Sequence, residues 1–265
     1  MLAAERRDAI LRALNAGGGV RVADLAAELD VSEMTVRRDL DALDAQNLLR
    51  KVHGGAVSRH NRGEEPGSSV KAGQQRAEKA AIATIAAGTV RDGMTIAIGA
   101  GTTTTELARQ LRHRPSITVV TNSVSVFQVL TDPVAGGASA EIAPQVYLSG
   151  GVRTPSDALV GPVADAAIGA FRVDATYLGV HGLDADAGLT TPNIAEAQTN
   201  RTLIGIGAQL VVLADHTKFG EVGTNVFARL SQVDTLIVDD GLAPEDRAVV
   251  EAEVGSLRLA AVSFP

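Results

Sequence analysis

The sequence predicts an α/β protein with two units of different architecture, and three observations support this prediction. Apolar residues recur at helical spacing as far as Leu43, and two short strand-like runs around a glycine turn follow them. A polar, glycine-rich stretch from Ser58 to Ser69 interrupts the pattern. Beyond it, short apolar runs alternate with helical segments, which is typical of a mainly parallel sheet. We therefore predict an N-terminal unit over residues 1–58, a linker over 59–73 and an α/β unit over 74–265.

The N-terminal unit contains three predicted helices. The segment from Arg6 to Leu14 carries apolar residues on one face and ends at the glycine run 17–19. The segment from Val22 to Leu29 forms a second helix, and Asp30 and Val31 leave room only for a tight turn before the third. This spacing is typical of a helix-turn-helix.

The third helix begins after Ser32, whose hydroxyl is suited to cap its first turn. Its apolar stripe, which faces a core, consists of Val36, Leu40 and Leu43. The residues opposite or beside that stripe, within reach of a DNA groove, are Met34, Thr35, Arg37 and Arg38. An isolated pair of arginines usually marks a solvated helix face. Their place on the second helix of a helix-turn-helix favours DNA contact instead.

A hairpin completes a winged helix-turn-helix. Its two short strands run from Leu48 to Val52 and from Gly54 to Val57, around a glycine turn. Basic side chains on this hairpin would lie beside the third helix. The candidate DNA-binding residues are Ser32, Met34, Thr35, Arg37, Arg38, Arg50, Lys51, His53, Gly54 and Gly55.

The charge distribution limits how such a unit can bind DNA. The formal net charge is −7, and residues 1–62 carry 10 Lys and Arg against 9 Asp and Glu, a net charge of +1. DNA affinity must therefore come from a local cluster, which consists of Arg37, Arg38, Arg50, Lys51 and Arg59. A dimer would double this cluster, and we expect a homo-oligomer, either a dimer or a tetramer.

Composition argues against several classes of protein. The chain has no Cys, so neither disulfides nor thiolate chemistry is available. The first residues carry charge and helical periodicity, unlike a signal peptide, and no apolar run approaches the roughly 20 residues that span a bilayer. The five histidines are too scattered for a metal motif. We expect a soluble, cytoplasmic protein with no membrane association, no metal and no cofactor.

The larger unit alternates strands and helices around a sheet. The predicted strands are Thr95–Ile98, Ile117–Thr121, Val146–Leu148, Ala175–Val180, Leu210–Ala214 and Leu236–Val238. The predicted helices between them are Glu106–Leu111, Ser123–Leu130, Val163–Ala170 and Ile194–Ile206. In such a Rossmann-like sheet, ligands collect where strands end and loops lead into helices.

Three loops at predicted strand ends carry groups suited to an anion. Residues 99–105 offer glycines, backbone amides and threonine hydroxyls before a helix. Residues 149–151 add further amides, with Arg153 close by in the sequence. Residues 215–220 combine an aspartate and a lysine, which suits a phosphorylated, hydroxylated ligand. Each loop has an ordinary alternative, a turn or an exposed ion pair, which the spacing alone does not exclude.

The chain resembles the DeoR family of bacterial transcriptional regulators, whose members usually repress genes of sugar metabolism. The N-terminal run TVRRDLDALDAQNLLRKVHGGAV resembles the DNA-binding signature of that family. The segments that resemble its C-terminal domain, in the same order, are AIGAGTTTTELA, VVTNS, YLSGGVR, LVGPVA, YLGVHGLDADAGLTT and LADHTKFG. The resemblance thus extends through most of the chain.

The resemblance implies that the C-terminal domain is an effector domain related to ribose-5-phosphate isomerases and CoA-transferase-like folds. In such domains these loops line a pocket for a phosphosugar. The effector-binding residues that it implies are Gly101, Thr102, Thr103, Thr104, Thr121, Asn122, Gly150, Gly151, Arg153, Glu196 and Lys218. The chain departs from the family pattern at Gly99, where many members have an acidic residue, and at Asn200, where they have a lysine.

These features favour a repressor that binds double-stranded operator DNA under the control of a phosphosugar. The sequence leaves open whether the ligand releases DNA or strengthens its binding. A competing hypothesis is a sugar-phosphate isomerase or hydrolase with a DNA-binding head, in which Asp215, Lys218 and Glu196 act as acid and base groups. A third is an architectural DNA-binding protein without a ligand, which the three glycine-rich loops disfavour.

Overall fold

A computed structural model describes residues 3–17, 19–46, 48–52, 54–58, 67–132 and 143–262. The chain divides into two compact units, Met1–Glu64 and Glu65–Pro265. None of the helices in the described ranges has the length and apolar character required to span a bilayer. The predicted class, an N-terminal winged helix-turn-helix followed by an α/β domain, is confirmed.

The first unit consists of helices and a small antiparallel sheet. Its elements are α1 (Ala3–Gly17), β1 (Gly19–Arg21), α2 (Val22–Glu28), α3 (Glu33–Ala45), β2 (Leu49–Val52) and β3 (Gly55–Ser58). The core is apolar and includes Ile10, Leu14, Leu25, Val36, Leu40 and Leu43. As predicted, Ser32 caps α3: its Oγ accepts a hydrogen bond from the N–H of Thr35 at 3.2 Å. A cap of this kind contributes about 1 kcal/mol to helix stability.

Strand β1 was not predicted, because the sequence indicated only a helix end at the glycine run. It pairs with β3, so that the sheet order is β1-β3-β2. Gly55 permits this pairing, since a Cβ atom there would lie 2.1 Å from the carbonyl oxygen of Val20. A glycine inside a predicted strand was therefore the available signal for a close backbone neighbour.

The second unit begins with two helices and continues as alternating strands and helices. Its first elements are α4 (Ser68–Gly73), α5 (Arg76–Thr89), β4 (Thr95–Ile98), α6 (Thr102–Leu111), β5 (Thr118–Thr121), α7 (Val124–Thr131), β6 (Gln145–Leu148), β7 (Val152–Arg153), β8 (Leu159–Val160) and α8 (Pro162–Gly169). The remainder are β9 (Ala175–Gly179), β10 (Gly182–Asp184), β11 (Gly188–Thr191), α9 (Ile194–Ile206), β12 (Leu210–Ala214), β13 (Asn225–Ala228), β14 (Thr235–Asp239), α10 (Pro244–Glu253) and β15 (Leu257–Ala260).

A parallel sheet organises the described part of this unit, with seven strands in the order β15-β14-β12-β9-β4-β5-β6. Alternate residues of each strand face opposite layers. Val212 of β12 belongs to the cluster that contains Leu203 of α9, whereas its neighbour Val211 belongs to the cluster that contains Ile82 of α5. All six predicted strands lie in this sheet. The seventh, β15, was missed because its short run alternates and is largely exposed.

Several predicted boundaries differ from the structure by a few residues, and two differences in the second unit are larger. Helix α6 begins at Thr102 instead of Glu106, because the hydroxyls of Thr104 and Thr105 donate to the carbonyl of Gly101 and make the threonine run compatible with a first helical turn. The predicted linker over 59–73 includes α4, which is helical and belongs to the second unit. Residues 59–66 of that linker lie outside the described residues.

Candidate functional site

The predicted DNA-contacting face of α3 is solvent-exposed. Met34 is 58% exposed, and Arg37 and Arg38 are also exposed. Arg37 is paired with Glu33 one turn away, at 3.0 Å between Nη2 and Oε2. Thr35 is half-buried and its hydroxyl lies 2.9 Å from that of Ser32, so these two groups serve the helix cap.

The wing brings a further cation beside α3. Lys51 on β2 forms an ion pair with Asp41 of α3, and both side chains are exposed. Gly54 at the tip has a φ of +80°, with open space around it. His53, Arg59 and the side chain of Arg50 lie outside the described residues.

Sequence reasoning missed Asp39, which connects the buried side of α3 to α1. Its side chain is 2% exposed and accepts hydrogen bonds from Nε of Arg6 at 2.5 Å and Nε of Arg7 at 3.0 Å, both on α1. The available signal was its position, because Asp39 falls three residues after Val36 on the buried side of the helix. An acidic residue there requires a cationic partner from another element.

A cleft in the second unit lies at the carboxyl ends of β4, β9 and β12. Its empty volume, open mouth included, is about 770 Å³. The predicted effector-binding residues that line it are Gly101, Thr102, Thr103, Glu196 and Lys218. Asn200, where the chain departs from the family pattern, lines it as well.

The other predicted effector-binding residues do not line this cleft and have roles in the framework around it. Thr121 donates to the carbonyl of Ile98 at 2.6 Å. Asn122 donates to the carbonyl of Leu159 at 3.2 Å and accepts from the amide of Ala100, also at 3.2 Å. Thr104 donates to the carbonyls of Gly99 and Gly101 at 2.8 and 2.9 Å. These side chains hold the loop after β4 in place and have little capacity left for a ligand.

The second predicted loop also lies outside the cleft. Gly150 and Gly151 have positive φ angles of 74° and 116°, and a Cβ on Gly151 would lie 2.6 Å from the carbonyl oxygen of Val160. Arg153 is largely exposed and donates to Asp157 Oδ1 at 2.8 Å from Nε. The ordinary reading of this loop, a turn with an ion pair, describes what the structure contains.

Glu196 gathers hydroxyl groups at one side of the cleft. Asn193 caps α9 by accepting the amide hydrogens of Ala195 and Glu196 at 2.9 and 3.3 Å, which places the glutamate in the first helical turn. Its Oε1 accepts from the hydroxyl of Thr154 at 2.5 Å and from that of Ser156. Glu196 is only 9% exposed, so its carboxylate is directed into a polar, nearly enclosed environment.

The cations of the cleft include two that sequence reasoning missed, Lys71 and Lys79. Among the described residues, Lys71, Lys79 and Lys218 are the lysines that line it. Lys79 is 4% exposed, and burial lowers the pKa of its ammonium group to about 8, although Asp215 partly opposes this effect. The signal was its place on α5, where Lys79 shares one face with Ile82, Ala83 and Ala86.

The loop after β12 is fixed by two aspartates. His216 Nδ1 lies 2.6 Å from Asp239 Oδ2, and this hydrogen bond raises the pKa of His216. Asp239 also accepts from the amide of His216 at 2.7 Å; burial opposes ionisation, yet these bonds keep the pKa of Asp239 below its usual value. Asp215 is buried, and its Oδ2 has no hydrogen-bond partner among the described residues. These hydrogen bonds fix the backbone conformation of the loop that contains Lys218.

No cluster of three or more His, Cys, Asp or Glu side chains in the described ranges could hold a metal ion. The donor set of the cleft combines ammonium groups, hydroxyls, backbone amides and one carboxylate. That combination matches a ligand carrying both an anionic group and hydroxyls.

Comparison with known proteins gives matches over both units. The model of the DeoR-like helix-turn-helix domain matches residues 6–62, and that of the DeoR C terminal sensor domain matches residues 74–240. The transcriptional repressor AccR of Agrobacterium fabrum is 32% identical over 96% of this chain and 95% of its own length. The HTH-type transcriptional regulator GlpR of Haloferax volcanii is 34% identical over 95% of this chain and 96% of its own. The lactose phosphotransferase system repressor of Staphylococcus aureus is 32% identical over 89% of this chain and 91% of its own.

Among solved structures, ribose 5-phosphate isomerase A of Methanocaldococcus jannaschii is 16% identical to this chain, with a TM-score of 0.38. That similarity covers 53% of this chain and 53% of the isomerase.

Proposed function

Because the chain belongs to the DeoR family of transcriptional regulators, we propose that it represses genes of sugar metabolism and that a phosphorylated sugar controls its binding to operator DNA. The names of its relatives support the first part, since they include a repressor of a lactose phosphotransferase system. The chemistry of the cleft supports the second.

The observation that carries the proposal is that the cleft is lined both by cationic groups and by a carboxylate. Lys79 and Lys218 line it together with Gly101 and Thr102 at the start of α6, where the first amide hydrogens of a helix have no partner within the helix. This is the arrangement that a phosphate dianion requires. Glu196 lines the same cleft, and its Oε2, which the hydroxyl of Thr191 approaches only to 3.4 Å, is the acceptor available for a sugar hydroxyl.

DNA binding is assigned to the exposed face of α3 and to the wing. We propose that Arg38, which is exposed on α3, reads a base edge and that Lys51 on the wing contacts phosphate. With a net charge of only +1 over residues 1–62, one unit offers few phosphate contacts. We therefore propose a homo-oligomer whose paired heads bind an inverted repeat, with the phosphosugar favouring an arrangement of heads that releases it.

The catalytic alternative receives less support from the same geometry. Of the groups that the enzyme hypothesis requires, Glu196 and Lys218 line the cleft, but Asp215 is 1% exposed and does not. The Oε1 atom of Glu196 already accepts two hydroxyl hydrogens, which weakens it as a base. We propose no turnover of the bound sugar phosphate.

The proposal is tested by fluorescence anisotropy of labelled DNA from upstream of the protein's own gene, at fixed salt. Each member of a panel of sugar phosphates is compared with the corresponding free sugar. We expect tight binding that one phosphosugar, and not its free sugar, weakens at least tenfold. In Lys218→Ala the DNA affinity should be retained and this response lost. Specific binding that ignores every sugar phosphate would contradict the proposal.

A further inference from the structure

The location of helix α4, in the sequence and in the fold, is relevant to regulation. It is the first described element of the second unit, so it directly follows the chain that leads from the DNA-binding unit, which ends at Glu64. It is also a wall of the cleft, to which it contributes Ser68 and Lys71. A ligand that fills the cleft therefore lies beside α4, the first described element after that segment of the chain.

Polar contacts hold α4 at both of its ends. At the start, the amide of Ser68 donates to the carbonyl of Pro155 at 3.1 Å, and its hydroxyl donates to Asp157 Oδ2 at 2.9 Å. At the other end, Nζ of Lys79 donates to the carbonyls of Lys71 and Gln74 at 2.6 and 2.7 Å. The last carbonyls of a helix lack partners within it, and the buried ammonium group supplies them.

The connection from α4 to α5 does not fix the direction of α4 by itself. Gln75 joins the two helices with φ 49° and ψ 46°, in the left-handed region that residues with a Cβ atom rarely adopt. Such a conformation persists only where the surrounding contacts enforce it. The position of α4 therefore depends on its contacts with Lys79 and Asp157.

The charges around Lys79 make one of these contacts sensitive to an anion. Lys218 and Lys71 act on Lys79 as like charges, while Asp215 and Glu106 act as opposite charges. The ammonium group is buried, and its hydrogen bonds go to neutral carbonyls instead of a carboxylate. An anion in the cleft would offset the repulsion among the three lysines and strengthen the attachment of α4.

We infer that α4, positioned by Lys79, is the element through which a phosphorylated ligand in the cleft acts on the chain leading to the DNA-binding unit. This inference rests on the proposed function and adds to it a route of regulation. Lys79 is in this respect a positioning residue as well as a cation of the cleft. Asp157 positions the opposite end of α4 without lining the cleft.

The first test is hydrogen–deuterium exchange of the full chain, with and without inorganic phosphate at matched ionic strength. We expect phosphate to slow exchange of residues 67–75 several-fold. In Lys79→Met without phosphate, exchange there should be at least tenfold faster than in the unchanged chain, and phosphate should no longer slow it. Arg76→Met, on the exposed side of α5, is the control and should behave like the unchanged chain. Equal exchange of residues 67–75 in Lys79→Met and the unchanged chain would overturn the inference.

A second variant avoids the cleft and keeps the backbone conformation. Asp157 has a φ of 63°, which glycine tolerates, so Asp157→Gly removes the side chain that accepts from Ser68 with little strain. We expect faster exchange of residues 67–75 and at least fivefold weaker release of DNA, measured at a sugar phosphate concentration that saturates the cleft. Release equal to that of the unchanged chain would refute the route through α4. If no sugar phosphate releases the unchanged chain, the proposed function fails, whereas the exchange experiment still tests how α4 is held.

Discussion

The alkaline pH dependence of ligand binding provides a sharp test of the role of Lys79. Its ammonium group has a pKa of about 8, lowered by burial and by Lys218 and Lys71 and partly restored by Asp215 and Glu106. About nine-tenths of the group is charged at pH 7 and about one-tenth at pH 9. If the bound phosphate requires a charged Lys79, the association constant should fall about tenfold between these values.

The acidic side of the profile has a different origin. A phosphate monoester takes its second negative charge near pH 6, so affinity should rise from pH 5 to about 7 as the dianion forms. The expected profile is therefore a bell with its maximum near pH 7. Isothermal titration calorimetry with the sugar phosphate that releases DNA measures it, and the protein needs no label.

Two variants separate Lys79 from the other cations. Lys79→Met should lose about 1.5–3 kcal/mol of binding free energy, a factor of roughly 10 to 150, together with the alkaline decline. Lys218→Met should lose a similar amount but keep that decline, because Lys79 remains. An association constant that stays level from pH 7 to pH 9 in the unchanged chain would show that the charge on Lys79 does not contribute to binding.

Three further predictions concern the DNA-binding unit. Arg38→Ala should cost about 1–3 kcal/mol of operator-binding free energy and relax sequence preference. Lys51→Ala should weaken binding to all sequences and lower the slope of log affinity against log salt by about 1. If anisotropy shows equal losses of affinity for random DNA in the two variants, the assignment of base contact to Arg38 and phosphate contact to Lys51 is wrong. Asp39→Asn should destabilise the first unit by about 1.5–3 kcal/mol, because the partly buried Arg6 loses its charged hydrogen-bond partner. Hydrogen exchange of α1 and α3 at the rate of the unchanged chain would refute this. Gly55→Ala should disrupt the pairing of β1 with β3 and weaken operator binding. Gly54→Asn should retain operator binding, since Gly54 has open space and a φ that asparagine accepts. Equal operator affinity of the two variants would refute the role of the close backbone contact at Gly55.

The elements that could be predicted from the sequence are those whose own residues bury their surface. The strand predicted at Leu210–Ala214 has the bounds that the structure gives it, because a short, uninterrupted apolar run is typical of a strand buried on both faces of a parallel sheet. The helix predicted at Ile194–Ile206 also agrees, since Asn193 caps it. Helix α5 was not predicted although its own apolar face is buried, whereas other missed elements are stabilised mainly by partners elsewhere. Strand β1 depends on its pairing with β3, and α4 depends on Lys79 and Asp157.

The same distinction explains the candidate cleft. Thr104, Thr121 and Asn122 have the donors and acceptors that a ligand requires, but neighbouring backbone groups already engage them. A sequence shows that a side chain is polar and does not show whether its hydrogen-bonding capacity is free. Lys79 gives a stronger signal, because a lysine on an apolar helix face must be buried, and burial of an ammonium group is costly unless the fold or a ligand compensates it. The similarly buried Asp39 is neutralised by Arg6 and Arg7. Lys79, whose ammonium group has only carbonyl acceptors among the described residues, therefore indicates the cleft better than the polar residues at strand ends.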